Sequence, residues 1–149
     1  MLVSTKGRYA LRVMVDLAEH AEDGRIPLKQ IATRQGISEK YLENILSSLV
    51  RVDLLSGLRG KGGGYQLTRD AGDITIGEVL RITEGSLAPV ACLESEHRGC
   101  EHAATCRTVH VWRELDDLIT GYLDGVTIAD LVPSGVDADA AAESPACPK

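Results

Sequence analysis

Leu28-Lys29-Gln30-Ile31-Ala32-Thr33-Arg34-Gln35-Gly36-Ile37-Ser38-Glu39-Lys40-Tyr41-Leu42-Glu43-Asn44-Ile45-Leu46-Ser47-Ser48-Leu49 is the stretch that decides the fold. Leu28, Ile31 and Ala32 fall at helical spacing, which predicts a helix over about 28–34 with those three inward. Gly36 supplies a turn. Ser38 is a good N-cap, and Glu39 stands at the first helical position, where the helix dipole favours a carboxylate. Leu42, Ile45, Leu46 and Leu49 then form the buried face of a second helix, leaving Tyr41, Glu43, Asn44 and Ser47 outward. Helix, glycine turn, helix is the order of a helix-turn-helix, whose second helix fits the major groove of DNA.

The flanks complete the pattern. An earlier helix is expected to begin at Ser4 or Thr5, with Ala10, Met14, Leu17, Ala18 and Ala21 as its apolar stripe and Asp23-Gly24 as its end. Two short apolar runs follow, around Leu54-Leu55 and Tyr65-Gln66-Leu67. Arg59-Gly60-Lys61-Gly62-Gly63-Gly64 lies between them and predicts a hairpin with a basic, glycine-rich tip. Such a tip brings Arg59, Lys61 and backbone N–H groups close to phosphates. A phosphate-binding loop is excluded, because Gly62 follows Lys61 where that motif needs Ser or Thr. The fold class is therefore mainly α with a small β-hairpin wing: a winged helix-turn-helix plus a long further helix.

Thr75-Ile76-Gly77-Glu78 predicts a capped short helix ending near Gly85. A long helix is expected from about Thr105 to Asp124, with Val109, Trp112, Leu115, Ile119 and Tyr122 along one side. Thr127-Ile128-Ala129-Asp130 starts a last short helix. The division expected is 1–85 for the DNA-binding domain, 86–108 for a cysteine-rich loop and 105–132 for the long and short helices. Residues 133–149, rich in Ala, Asp, Ser and Pro, read as a disordered tail.

Charge agrees with this division. The 149 residues carry a net charge of −6, but residues 1–70 hold 11 Lys and Arg against 8 Asp and Glu. The remainder holds 5 against 14. The basic surplus sits where a nucleic-acid surface is expected. It is small, so nonspecific binding should be weak. The start of the chain reads as neither signal peptide nor membrane span, and a cytoplasmic location is expected. There, four cysteines read as reduced thiols or ligands. No nucleophile is accompanied by a base and an orienting group, so no catalytic residues and no small-molecule substrate are expected.

Three of the cysteines lie in Cys92-LESEHRG-Cys100-EHAAT-Cys106-RTV-His110. Three thiolates and an imidazole in so short a span point to a metal, and thiolates suit iron–sulfur clusters and zinc alike. The same spacing occurs in RNA-binding zinc fingers. Those stack bases on aromatic rings between the ligands, and none lies between Cys92 and His110.

Several segments resemble one family. Lys6-Gly7-Arg8-Tyr9-Ala10, Arg34-Gln35-Gly36-Ile37-Ser38, Tyr41-Leu42-Glu43 and Arg59-Gly60-Lys61-Gly62-Gly63-Gly64-Tyr65 closely resemble the bacterial iron–sulfur cluster regulators of the IscR/NsrR type. Gly77-Glu78-Val79, Trp112-Arg113-Glu114-Leu115 and Ile128-Ala129-Asp130-Leu131 fit too, so the resemblance spans about residues 1–132. It implies a homodimeric repressor or activator bound to a double-stranded operator, with the long helix as dimerisation element. It also implies DNA contacts from Ser38, Lys40, Tyr41 and Glu43, and from Arg59 and Gly60 beside Lys61. An acidic residue there suggests that Glu43 accepts from a cytosine amino group; a surface Glu43 paired with Lys40 or Ser47 is the alternative. Cys92, Cys100 and Cys106 would hold the cluster, with 2Fe-2S favoured and 4Fe-4S as the other possible type.

The chain departs from the family at the fourth ligand. The family's histidine falls where Val109 stands, and His110 comes one place later, a helical rotation of about 100°. Arg8 and Arg12 occupy the stretch of the first helix where some relatives carry an acidic ligand. His97, His102, Glu101, Cys147, a small thiol or water are the other possible donors. Structural zinc, or a cluster-free thiol switch, stands as the alternative reading of the same loop.

Overall fold

Ser4 begins the fold by accepting the Gly7 N–H on its hydroxyl at 3.2 Å, and helix α1 (Thr5–Glu19) runs from there. The structure, a computed structural model, describes residues 3–94, 102 and 104–133. Ala10, Val13, Met14 and Leu17 of α1 are buried. Ala21 is exposed, because the helix stops at Glu19 and His20 caps it, Nδ1 lying 2.7 Å from the Asp16 carbonyl. The expected stripe thus ends one turn early.

Helix α2 (Leu28–Gln35) is followed by Gly36 in the left-handed region at φ 65°. The N–H of Ile37 reaches back to the Ala32 carbonyl at 3.1 Å, closing the helix end. Helix α3 (Glu39–Arg51) starts at Ser38, whose hydroxyl accepts the Tyr41 N–H at 3.3 Å. Leu42, Ile45, Leu46 and Leu49 are fully buried against α1 and α2. Burying such side chains contributes about 1.5–3 kcal/mol each, which makes this cluster the main hold on the angle of α3.

Strands β1 (Leu55–Leu58) and β2 (Gly64–Leu67) pair antiparallel, Leu55 opposite Leu67 and Leu58 opposite Gly64. Ile26 and Tyr65 exchange backbone hydrogen bonds at 2.9 Å, tying the hairpin to the start of α2. A side chain at Gly64 would strike the Ile26 carbonyl, so this docking needs glycine. Helix α4 (Ile76–Glu84) has the expected Thr75 cap, the hydroxyl accepting the Glu78 N–H at 3.1 Å. The Glu78 carboxylate does not complete the box and instead binds Arg69 at 2.6 Å.

Helix α5 (Val109–Gly125) begins four residues later than expected. Thr108 is its N-cap, yet its hydroxyl makes no capping bond: it accepts from Trp112 Nε1 at 3.3 Å and lies 3.4 Å from Cys106 Sγ. The far end of α5 is fixed to α4 by Arg81, whose two terminal nitrogens bind Asp124 at 2.7 and 2.8 Å. Ile128, just beyond, is fully buried in the main core and begins a short 3-10 turn, Ala129–Leu131. No described residue of α5 itself is buried. The expected tail beyond Pro133 lies outside the described residues. Among the described residues, no helix is long and apolar enough to cross a membrane.

Candidate nucleic-acid interface and cysteine segment

The outward face of α3 carries Lys40, Glu43, Asn44, Ser47 and Arg51 at helical spacing, all exposed. Together with Ser48 they line one shallow groove. A second cleft opens between α3 and the hairpin, where Glu43, Ser47 and Arg51 face Leu58 and Arg59. The helix face and the wing are therefore continuous. Ser38 lies at the N-terminal edge of this surface with its hydroxyl turned to its own helix. Tyr41 stands beside it, 37% exposed. Arg59, Gly60 and Lys61 form the exposed wing tip, where the Gly60 carbonyl accepts the Gly63 N–H at 2.9 Å.

Glu43 forms no salt bridge among the described residues. Ser47 donates to the Asn44 carbonyl at 2.9 Å rather than to Glu43. The carboxylate is left facing the groove with its acceptor capacity open. Sequence reading missed Arg51, which lines both clefts. The signal was available: Lys40, Asn44, Ser47 and Arg51 recur at four- and three-residue steps, the polar counterpart of the leucine stripe. Lys6 was also missed. It reaches across from α1 to donate to Ser48 at 3.3 Å.

The cysteine segment is described only in part. Cys92 is exposed within a 3-10 turn, Ala91–Leu93. Cys106 is partly exposed, just before α5. The Thr108 hydroxyl, with the backbone N–H groups of Thr108 and Val109, holds the Cys106 thiol below its ordinary range. That favours the thiolate, the form that binds metals. His110 is exposed in the first turn of α5. Cys100, His97, Glu101 and Cys147 lie outside the described residues. Among the described residues, no group of three metal-ligating side chains converges. The donor set itself, thiolates with an imidazole, fits iron–sulfur or zinc chemistry.

Residues 3–134 match the Rrf2 family, described as iron-dependent transcriptional regulator. The chain belongs to this family and is a transcriptional regulator rather than an enzyme. Among individual proteins, it is 42% identical over 132 residues to the HTH-type transcriptional regulator IscR of Enterobacter sp. (strain 638), covering 89% of this chain and 80% of that one. The IscR of Salmonella newport (strain SL254) is equally similar, at 42% identity over 132 residues. Among solved structures it resembles IscR of T. potens, with 36% identity and a TM-score of 0.71 over 97% of this chain and 93% of that one. It also resembles CymR, the global cysteine regulator of B. subtilis, with 37% identity and a TM-score of 0.72 over 88% and 95%.

Proposed function

We propose that the protein is a cytoplasmic, homodimeric regulator that binds a DNA operator and responds to an iron–sulfur cluster. The observation that carries the DNA part is the polar face running from Lys40 to Arg51 on α3 and continuing, across a cleft that includes Leu58, to Arg59 at the wing. Lys40 and Arg51 supply phosphate contacts, while Tyr41 and Glu43 read base edges. Arg59, Gly60 and Lys61 follow the backbone of the adjoining groove. Dimerisation uses α5, which leaves Val111, Leu115, Leu118 and Tyr122 exposed along one side.

Cys92, Cys100 and Cys106 would hold the cluster, with His110 or another donor as fourth ligand and 2Fe-2S as the favoured type. When bound, it supplies iron–thiolate bonds that are sensitive to iron supply, oxidants and nitric oxide. The chain's own part is mechanical. Cys106 lies three residues before the start of α5, and α5 ends in the Arg81–Asp124 pair on α4. Helix α4 packs on α1 and α3. A change of order around Cys106 is therefore passed to the tilt of α3, which must meet half-sites about 34–36 Å apart in a dimer. The partly exposed Cys106, with its thiol held below the ordinary range by Thr108, supports a second reading in which that thiol is itself the redox switch.

Anaerobic purification of wild type and Cys92→Ala, with absorption spectra and iron, sulfide and zinc analysis, tests this. Matched iron and sulfide, lost in the variant, is the expected result. About one zinc per chain would make the loop structural. A metal-free protein would leave the thiol switch.

A further inference from the structure

We infer that Tyr9 and Arg12 of α1 determine sequence discrimination by holding Tyr41 of α3 in its reading position. The inference rests on the DNA-binding reading given above. Tyr41 is the third residue of α3, near the end of a recognition helix that contacts base edges. An exposed tyrosine in such a place ordinarily loses rotamer freedom on binding, which weakens the contact. Here its ring is met by Tyr9 at 6.1 Å between centroids and 84° between planes, the edge-to-face arrangement that aromatic pairs favour.

Tyr9 is in turn fixed from its own helix. The Arg12 guanidinium lies over its ring at 5.1 Å from the centroid, within cation–π range. Arg12 is exposed, and an exposed arginine is ordinarily mobile. This one is pinned: Nε donates to Gln35 Oε1 at 3.0 Å and Nη2 to the Gln35 carbonyl at 3.2 Å. The Gln35 amide nitrogen donates to the buried Asp16 carboxylate at 2.7 Å. The series Asp16, Gln35, Arg12, Tyr9, Tyr41 thus runs from the core to the reading helix, each link a direct contact. Tyr9 and Arg12 sit on α1 and are linked to the reading helix through the Tyr41 ring. They are positioning residues.

The test uses the duplex that wild-type protein enriches from a random-sequence library, beside a scrambled duplex of the same composition. Affinities for both are measured at one salt concentration for wild type, Arg12→Gln, Tyr9→Leu, Tyr9→Phe, Tyr41→Ala and the Tyr9→Leu/Tyr41→Ala double variant. Arg12→Gln changes only an exposed side chain, so it keeps the test open if Tyr9→Leu folds poorly. Arg12→Gln and Tyr9→Leu are expected to lower the ratio of the two affinities by about 2–10-fold, the worth of one edge-to-face pair. Affinity for the scrambled duplex should hold, and Tyr9→Phe should retain the wild-type ratio. With Tyr41→Ala in place, Tyr9→Leu should cost nothing more. Equal losses on both duplexes, or an undiminished Tyr9→Leu effect in the Tyr41→Ala background, would overturn the inference. A wild type that enriches no sequence would sink the DNA-binding reading itself, and this inference with it.

Discussion

The Asp16 carboxylate, carried by α1 and 2% exposed, is gripped by Arg34 at the end of α2, whose Nε lies 3.1 and 3.0 Å from its two oxygens. This pair sets the packing of the helix-turn-helix on α1. Burial by itself pushes the Asp16 carboxyl up. The hydrogen bonds from Arg34 and Gln35, with the charges of Arg34 and His20, outweigh it and hold the group below its ordinary range. A carboxyl with a lowered folded value stabilises fully above its unfolded value, about 3.9, and loses that contribution as pH falls through the folded one. Asp16→Asn should therefore cost about 2–3 kcal/mol near neutrality, less than for a fully buried pair because Arg34 keeps contact with water. Urea unfolding from pH 7 to pH 3 should show the gap to wild type narrowing below about pH 4. A gap that stays constant across that range would remove the ionic account.

Ser38 combines a cap with a proposed DNA contact, and substitution separates the two. Ser38→Ala loses the bond to the Tyr41 N–H and should destabilise the fold by about 1 kcal/mol. Ser38→Asp keeps the cap, since a carboxylate accepts equally well there. It also places a negative charge where a phosphate is expected. Thermal unfolding should thus rank Asp near wild type and Ala below it, while duplex affinity ranks Asp lowest. Parallel losses in both measurements would mean that Ser38 acts through stability alone.

Glu43 faces the groove without a salt-bridge partner among the described residues. A carboxylate among phosphates is unfavourable unless a cytosine amino group donates to it. Glu43→Ala should therefore relax sequence choice more than it weakens binding. Affinities across duplexes varied at each position should converge at one position only. A uniform drop over all duplexes would assign Glu43 to general binding.

The helix-turn-helix was legible because its determinants are local: leucines at helical spacing, Gly36 at the turn and Ser38 at the cap. The Asp16 site was not, since a lone acid on an apolar stripe gains its partners from Arg34 and Gln35, which only the folded chain brings near. The start of α5 was misread too: it was expected at about Thr105, but the helix begins at Val109 behind Thr108, whose hydroxyl accepts from Trp112, lies beside Cys106 and makes no capping bond. Arg51 was legible as well, since it continues the polar stripe of Lys40, Asn44 and Ser47. Spacing named Cys92, Cys106 and His110 as ligands but could not say whether they converge. That depends on the path of the loop and on Cys100, outside the described residues.

Helix α5 offers a direct test of assembly. Leu118 and Tyr122 are 71% and 70% exposed, so neither supports the fold of a single chain. Leu118→Glu should leave helical content and the Ile128-containing core intact while moving the protein from the proposed dimer to a monomer in sedimentation. Affinity for a two-half-site operator should fall with it, because two linked sites bind far more tightly than one. A variant that sediments as a dimer would place the interface elsewhere.

The wing makes a quantitative prediction about salt. Arg59 and Lys61 are exposed, and neither forms a salt bridge among the described residues. Their charges are free to displace counterions from DNA. Arg69, near the base of the hairpin, differs: it is already bound to Glu78 at 2.6 Å. Each phosphate contact adds roughly 0.9 to the slope of log affinity against log salt. Arg59→Ala with Lys61→Ala should make that slope shallower by about 1–2, with similar loss on every duplex. Arg69→Ala should leave the slope unchanged although it, too, removes a positive charge. If all three substitutions flatten the slope equally, the wing acts only through net charge, and the proposed phosphate contacts at its tip are wrong.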